Sequence, residues 1–172
     1  MLFRSDRLLA PMENGWLAVE KIVSGLIQSL VAGLLAIPAA WLMMGPGAVV
    51  SFAHPFEFIG FTLLVALLAA SLGLALGCSV PQTHIGLMFG VIMMPVMVFG
   101  CVYYPWSFLR PFPELQYGVL LNPVVYATEG LRGVMVPQIP HLPGLISAGA
   151  LVLADTILVT IGIKKFCRKA VS

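Results

Sequence analysis

The fold of this chain is decided by residues 100–133, which read GCVYYPWSFLRPFPELQYGVLLNPVVYATEGLRG. Aromatic side chains crowd the beginning of this central stretch, as they do in the belts that form at lipid headgroups. Prolines then interrupt any long helix, because proline lacks an amide donor and clashes with the preceding turn. Two short apolar segments follow, at 114–121 and 124–136, separated by Asn122 and Pro123. We expect two short re-entrant or interfacial helices here.

The composition places the rest of the chain in a membrane. Of its 172 residues, 60% are hydrophobic and 9% are charged, whereas charged residues make up about a quarter of a soluble domain. The three cysteines are far apart and predict neither a disulfide framework nor a metal site. No cleavable signal peptide is expected before the first apolar run, and no dense basic face predicts nucleic-acid binding.

We therefore predict an all-α integral membrane protein with four transmembrane helices. Each predicted span is a largely uncharged run of roughly the 17–25 residues that a bilayer requires. The predicted domains are a cytoplasmic lead-in at 1–21 and a transmembrane domain at 22–172. The spans fall at 22–44, 58–76, 85–102 and 145–163, with an outer loop at 103–144 and a basic tail at 164–172.

The distribution of basic residues predicts the orientation. Cytoplasmic flanks are enriched in Lys and Arg, and seven of the nine basic residues lie near the two termini. Both termini are therefore expected in the cytoplasm, which requires an even number of spans. Counting 115–136 as a fifth span would bury Glu129 and Arg132, so we place the central stretch outside.

Asp155 lies in the middle of the last predicted span. A carboxylate at that depth costs at least ~2.5–3.5 kcal/mol, so it should face the helix bundle and be protonated or hydrogen-bonded. A functional role and a simple bond to a neighbouring helix are equally consistent with the sequence. An intramembrane enzyme is disfavoured, because no second catalytic group lies at a matching depth.

The lead-in at 1–21 mixes charged and apolar residues and reads as an amphipathic segment. It could dock another protein, or it could simply anchor the chain beside the membrane. No phosphate-binding loop of the Gly-x-x-x-x-Gly-Lys-Ser/Thr type occurs anywhere in the chain. Nucleotide binding by that device is thus excluded for this polypeptide.

Three motifs in order carry a family resemblance. They are Tyr104-Pro105, Asn122-Pro123-Val124-Val125-Tyr126 and Glu129-Gly130-Leu131-Arg132. Followed by one last span and a basic tail, they resemble the C-terminal half of bacterial ABC type-2 exporter permeases, and drug- and lipid-export permeases are the most similar subgroup. The lead-in at 6–12 also looks like the cytoplasmic segment before the third span of that family.

The resemblance implies the membrane subunit of an ATP-driven exporter of hydrophobic or amphipathic substrates, such as drugs, lipids or lipid-linked glycans. It implies a bacterial inner-membrane location, a second permease copy or half, and a separate ABC ATPase that holds ATP and Mg²⁺. This chain would then bind no cofactor and would not itself be an enzyme. The implied coupling residues are Arg7, Leu8, Leu9, Pro11 and Met12. The implied outer-gate residues are Tyr104, Pro105, Asn122, Pro123, Tyr126, Glu129 and Arg132.

Permeases of this family usually have six spans, and the first two are missing here. We therefore expect a fragment, a truncated or mis-started reading frame, or half of a split permease. The alternative function is a non-transporting membrane scaffold or assembly protein, or an inactive truncated permease. The sequence does not name the cargo.

Overall fold

The computed structural model describes residues 14–45, 54–80 and 82–171, and within these ranges the chain is helical or irregular with no strand. Three helices are long and apolar enough to cross a membrane. They are α1 (Asn14–Met44), α2 (Pro55–Ser79) and α7 (Gly144–Val171). The predicted all-α membrane class is confirmed by these helices.

All three helices are longer than predicted: α2 exceeds its predicted span of 58–76 by three residues at each end, and α1 and α7 exceed theirs by more. Helix α1 begins at Asn14, so it crosses the expected boundary between the lead-in and the membrane domain at residue 22. Helix α7 continues through the basic tail instead of ending at residue 163. Lys and Arg are good helix formers, and cations are favourable near a helix C-terminus, so the basic residues prolong the helix.

Helix α2 is the centre of the bundle, with α1 and α7 packed against it. Small residues allow these close approaches. A Cβ placed on Gly25 of α1 would lie 3.2 Å from the Cβ of Ala70. Between α2 and α7, Lys165 Nζ donates a 2.8 Å hydrogen bond to the Oγ of Ser79, the last residue of α2. The C-terminal ends of α2 and α7 therefore lie together, at what we call the basic end.

The predicted third span differs from the structure. Residues 82–98, here called the broken helix, comprise a 3-10 turn (Gln82–His84), α3 (Ile85–Met88), a π-helical segment (Phe89–Met93) and α4 (Met94–Val98). The chain then turns at 99–103 instead of continuing to residue 102 as a helix. The broken helix is shorter than a membrane span, so the four predicted spans become three membrane-length helices and one short apolar helix.

Proline accounts for this irregularity. Pro95 at the start of α4 has no N–H to donate, and the π segment lies directly before it, with the Met94 N–H bonded to the Phe89 carbonyl. A π-bulge adds a residue to the turn and is a common cause of helix distortion. The helix thus changes its hydrogen-bond register immediately before Pro95 and ends within one turn after it.

The two short helices expected in the central stretch are present as α5 (Pro113–Gly118) and α6 (Pro123–Met135). A 3-10 turn at Val119–Leu121 leads from α5 to α6, and another occupies Trp106–Leu109. Helix α6 packs against α2 and α7. Phe61, Leu68, Ala127 and Leu151 belong to the core that these helices share. Together, residues 99–143 cover one end of the bundle, which we call the capped end.

Candidate functional site in the capped end

Asn122 joins α6 to the broken helix. Its side-chain oxygen accepts a 3.1 Å hydrogen bond from the Val124 N–H and so caps the N-terminus of α6. Pro123 occupies the first helical turn, where the missing N–H is of no consequence. The side-chain NH₂ of Asn122 donates a 2.7 Å hydrogen bond to the carbonyl of Val96. One side chain therefore both starts α6 and holds the end of α4.

Two hydroxyl groups bind further carbonyls at the end of the broken helix. Thr128 Oγ1 donates to the Gly100 carbonyl at 2.8 Å, and the Tyr104 hydroxyl donates to the Val98 carbonyl at 2.8 Å. Burial raises the pKa of Tyr104 above its ordinary value of 10.0, and Cys101 raises it further. The phenol therefore keeps its proton and remains a donor. These bonds attach α6 and the segment at Tyr104 to the end of the broken helix and the turn that follows it.

Glu129 is the most heavily bonded side chain of the capped end, and it is fully buried. Its Oε1 accepts a 3.0 Å hydrogen bond from the Trp106 N–H and forms an ion pair with Arg132. Its Oε2 accepts a 3.2 Å bond from the Leu142 N–H. A buried carboxylate needs such donors to offset its desolvation. We call Glu129 and these three partners the Glu129 cluster.

Arg132 extends the cluster to the turn after the broken helix. Its Nη2 donates a 3.0 Å hydrogen bond to the Cys101 carbonyl. Cys101 has φ +55°, in the left-handed region that residues with a Cβ seldom adopt. The guanidinium can bind two acceptors at once because its donors form a rigid fork. It therefore connects the carboxylate of α6 with a strained turn of the neighbouring segment.

Two glycines of α6 permit the close packing around the cluster. A Cβ on Gly130 would collide with the ring of Phe61 in α2. A Cβ on Gly133 would lie 2.6 Å from Cδ2 of His141. The absence of these two side chains lets α6 approach α2 on one side and the segment before α7 on the other.

The structure places the predicted gate residues in one connected region. Tyr104, Asn122, Glu129 and Arg132 all bond to groups of the capped end. Tyr126 packs against the shared bundle core and also against a second buried cluster, formed by Cys101, Val119, Val125 and Leu142. Pro105 precedes the 3-10 turn at Trp106–Leu109, and Pro123 begins α6. The predicted coupling residues Arg7, Leu8, Leu9, Pro11 and Met12 lie outside the described residues.

Sequence reasoning missed three participants. Thr128 lies directly before Glu129, but a threonine in an apolar helix gives no distinctive signal. Trp106 and Leu142 contribute backbone N–H groups to Glu129, and a backbone donor is independent of residue type. Only the three-dimensional path of the loop could have identified these two.

Comparison with known proteins gives one match. A family model described as ABC-2 type transporter matches residues 6–136, which is most of the chain. The chain belongs to the ABC-2 type transporter family. Comparisons with curated proteins and with solved structures give no match. The matched range includes Glu129, Arg132 and the whole broken helix, and it ends before α7.

Members of the ABC-2 family are the transmembrane permease components of ABC transporters and normally pair with an ABC ATPase. The chain is accordingly a multi-pass membrane protein and a permease subunit of an ABC transporter. Within the described residues, no group of three or more His, Cys, Asp or Glu side chains could hold a metal ion.

Two apolar cavities flank α2 in this ABC-2 permease. One of about 960 Å³ lies between α1, α2 and α6, and the other, of about 560 Å³, lies between α2, the broken helix and α6. Val65, Ala69 and Leu131 line both. Thr62 and Ser29 contribute hydroxyl groups to the larger cavity, and Thr128 contributes one to the smaller. Their volumes are those of typical small-molecule sites.

Proposed function

We propose that this ABC-2 permease exports hydrophobic or amphipathic molecules, such as drugs, lipids or lipid-linked glycans, and that a separate ATPase subunit drives it. A second permease copy or half would complete the transport unit. The lead-in residues Arg7 to Met12 would contact the ATPase. The Glu129 cluster would close the outer gate. The location proposed is a bacterial inner membrane with both termini in the cytoplasm.

The observation that carries the gate proposal is the way in which Glu129 joins separate segments. The carboxylate binds the loop at Trp106, the segment at Leu142 and, through Arg132, the turn at Cys101. Displacement of the Glu129 carboxylate would free the loop at Trp106 and the segment at Leu142, and it would leave Arg132 without its ion-pair partner. A gate requires such a two-state element, because packed structures switch between discrete arrangements.

The apolar cavities support the proposed class of cargo. Their walls are mainly aliphatic, with one or two hydroxyl groups each. An amphipathic molecule can place its apolar part against such walls and its polar part against a hydroxyl. Ala69 lies between the two cavities, so Ala69→Trp should fill them and reduce export. Leu153→Trp on the exposed face of α7 is the matched control and should leave export unchanged.

Co-purification tests the partnership with an ATPase. The chain is co-expressed with an ABC ATPase from the same genome, solubilised in mild detergent and captured by a tag. We expect the ATPase to be retained by the wild-type chain and to be lost when Leu8 and Leu9 are both changed to Ser. Retention of other membrane proteins but no ATPase would instead favour the scaffold function.

Export from membrane vesicles tests the gate. Arg132→Gln removes the partner of Glu129 and should abolish export of a fluorescent amphipathic cargo while the ATPase remains bound. Arg110→Gln changes an exposed arginine of the same end and serves as the control. Normal export by Arg132→Gln would refute the gate role of the cluster.

A further inference from the structure

Asp155 is a buried carboxyl group that the capped end does not use. It lies within α7, about 17 Å along the helix axis from Gly144 and about 14 Å from Lys164, at ~1.5 Å per residue. Only 3% of the residue is exposed. Its face of α7 also carries Ser147 and Leu151, both fully buried, so this face is directed into the bundle.

No group in the described residues stabilises a negative charge at this position. Both carboxyl oxygens of Asp155 lack a hydrogen-bond partner there. The hydroxyl of Ser71 on α2 is already committed to the Leu68 carbonyl. An ionised carboxylate without donors is among the most costly groups to bury, and it becomes neutral if it can.

The charged groups on the helices around Asp155 are either distant along their helices or already paired. On α1, Glu20 and Lys21 pair with each other near the beginning of the helix. On α2, the charged residue is Glu57 in the first turn. On α6, Glu129 and Arg132 form an ion pair. On α7 itself they are Lys164, Lys165, Arg168 and Lys169, which follow the apolar part of the helix. The described structure therefore offers Asp155 no counter-ion within its surroundings.

We propose that Asp155 is a proton-binding site in the membrane core. One carboxyl oxygen binds one proton, which turns the carboxylate into a neutral acid with an O–H donor. Helix carbonyls are acceptors for that donor. The site is separate from the Glu129 cluster and independent of any cargo, so it holds whether or not the proposed export is correct.

A metal cation would be a different occupant, and the geometry disfavours it. Hard cations such as Na⁺ or Ca²⁺ require several oxygen ligands around one point. Ser147 is two helical turns from Asp155, about 12 Å along the axis. One carboxylate cannot supply such a shell alone, whereas a proton needs only one oxygen.

Infrared spectroscopy of isotope-labelled protein can detect the proton directly. The chain has two aspartates, Asp6 and Asp155, so labelling aspartate with ¹³C at the side-chain carboxyl marks these two groups alone. In vesicles near neutral pH, the labelled protein should give the carbonyl band of one protonated acid and the carboxylate bands of one ionised acid. Asp6→Asn should keep the acid band, and Asp155→Asn should remove it.

Two results would overturn the proposal. Carboxylate bands alone in the wild-type protein at neutral pH would mean that Asp155 is ionised. An acid band that appears only in sodium-free buffer would mean that a cation displaces the proton. Because Asn is the neutral isostere, Asp155→Asn should unfold at the wild-type temperature. If it does not fold, the Asp6→Asn protein still reports Asp155 as its one remaining aspartate.

Discussion

The carboxyl group of Glu129 contacts donors that are 3, 13 and 23 residues away in sequence. A local helix pair such as Glu129 with Arg132 contributes only a few tenths of a kcal/mol when it is exposed to water. Here the side chain of Glu129 is fully buried and that of Arg132 is 15% exposed. Removing one partner leaves an uncompensated charge inside the protein, and that cost dominates.

Glu129→Gln should therefore destabilise the protein by about 3 kcal/mol, since breaking a buried ion pair strands the remaining charge. Gln also replaces one of the two acceptor oxygens with an NH₂ group, which would then face the N–H donor of Trp106 or Leu142. Thermal unfolding in detergent measures the loss. Glu114→Gln, an exposed change in the first turn of α5, is the control and should cost less than about 1 kcal/mol. Equal melting temperatures for the two variants would contradict the prediction.

At the residue scale, the contacts of the predicted gate residues could be anticipated from the sequence only in part. The pairing of Glu129 with Arg132 follows from helical spacing, because residues three apart are neighbours on any helix. Burial of Asp155 was also predicted correctly from the cost of exposing a charge to lipid. The bond between Arg132 and the Cys101 carbonyl depends on a left-handed backbone conformation at Cys101. No residue pattern in the sequence predicts that conformation at a non-glycine residue.

The side-chain amide of Asn122 connects α6 to the broken helix, because its oxygen accepts a hydrogen bond from α6 and its NH₂ donates one to α4. Asn122→Ala removes both the cap and the bond to Val96, and we expect a loss of about 2 kcal/mol. Asn122→Asp keeps an acceptor for the Val124 N–H but loses the donor to the Val96 carbonyl. Hydrogen exchange separates these effects. The amide of Val124 should exchange faster in the Ala variant alone, and amides of α4 should exchange faster in both.

Packing between α6 and α2 requires a residue without a side chain at position 130. Gly130→Ala drives a methyl group into the Phe61 ring and should cost about 1–3 kcal/mol as overpacking. Gly118→Ala adds the same methyl to a helical position with nothing within 4 Å. That control should be neutral or stabilising by up to about 1 kcal/mol. If the clash is the cause, Phe61→Leu should restore the melting temperature of Gly130→Ala.

At the element scale, long apolar runs predicted the existence of the helices but not their ends. The run at 85–102 is apolar throughout, so hydropathy extended it beyond Val98. Its actual end follows from Pro95 and from bonds that reach it from distant residues, such as Asn122 to Val96. A hydropathy average over neighbouring residues cannot detect hydrogen bonds that distant side chains make to helix carbonyls.

At the scale of the whole molecule, many of the hydrophobic residues lie on the surface of the protein and not in its core. Large hydrophobic side chains are exposed along α1 and α7, among them Val23, Leu34, Trp41 and Leu153. In water such a surface would cause aggregation, but in a bilayer it is the surface that contacts lipid. Orientation in that bilayer is the remaining global property, and two of the three natural cysteines, Cys78 and Cys167, are placed to measure it.

Cys78 and Cys167 are partly exposed near the C-terminal ends of α2 and α7, which the Lys165–Ser79 bond holds together. The basic residues of α7 predict that this end faces the cytoplasm. A membrane-impermeant maleimide should label single-cysteine versions of both positions in inside-out vesicles but not in intact cells. Buried Cys101 should react only after unfolding.

A cysteine introduced at exposed Phe108, in an otherwise cysteine-free chain, is the control for the opposite side. It should react in intact cells. Labelling of Cys167 from outside would reverse the predicted orientation. Labelling of Cys78 and Cys167 from opposite sides would go further, because it would contradict the packing of α2 alongside α7 on which the bundle is built.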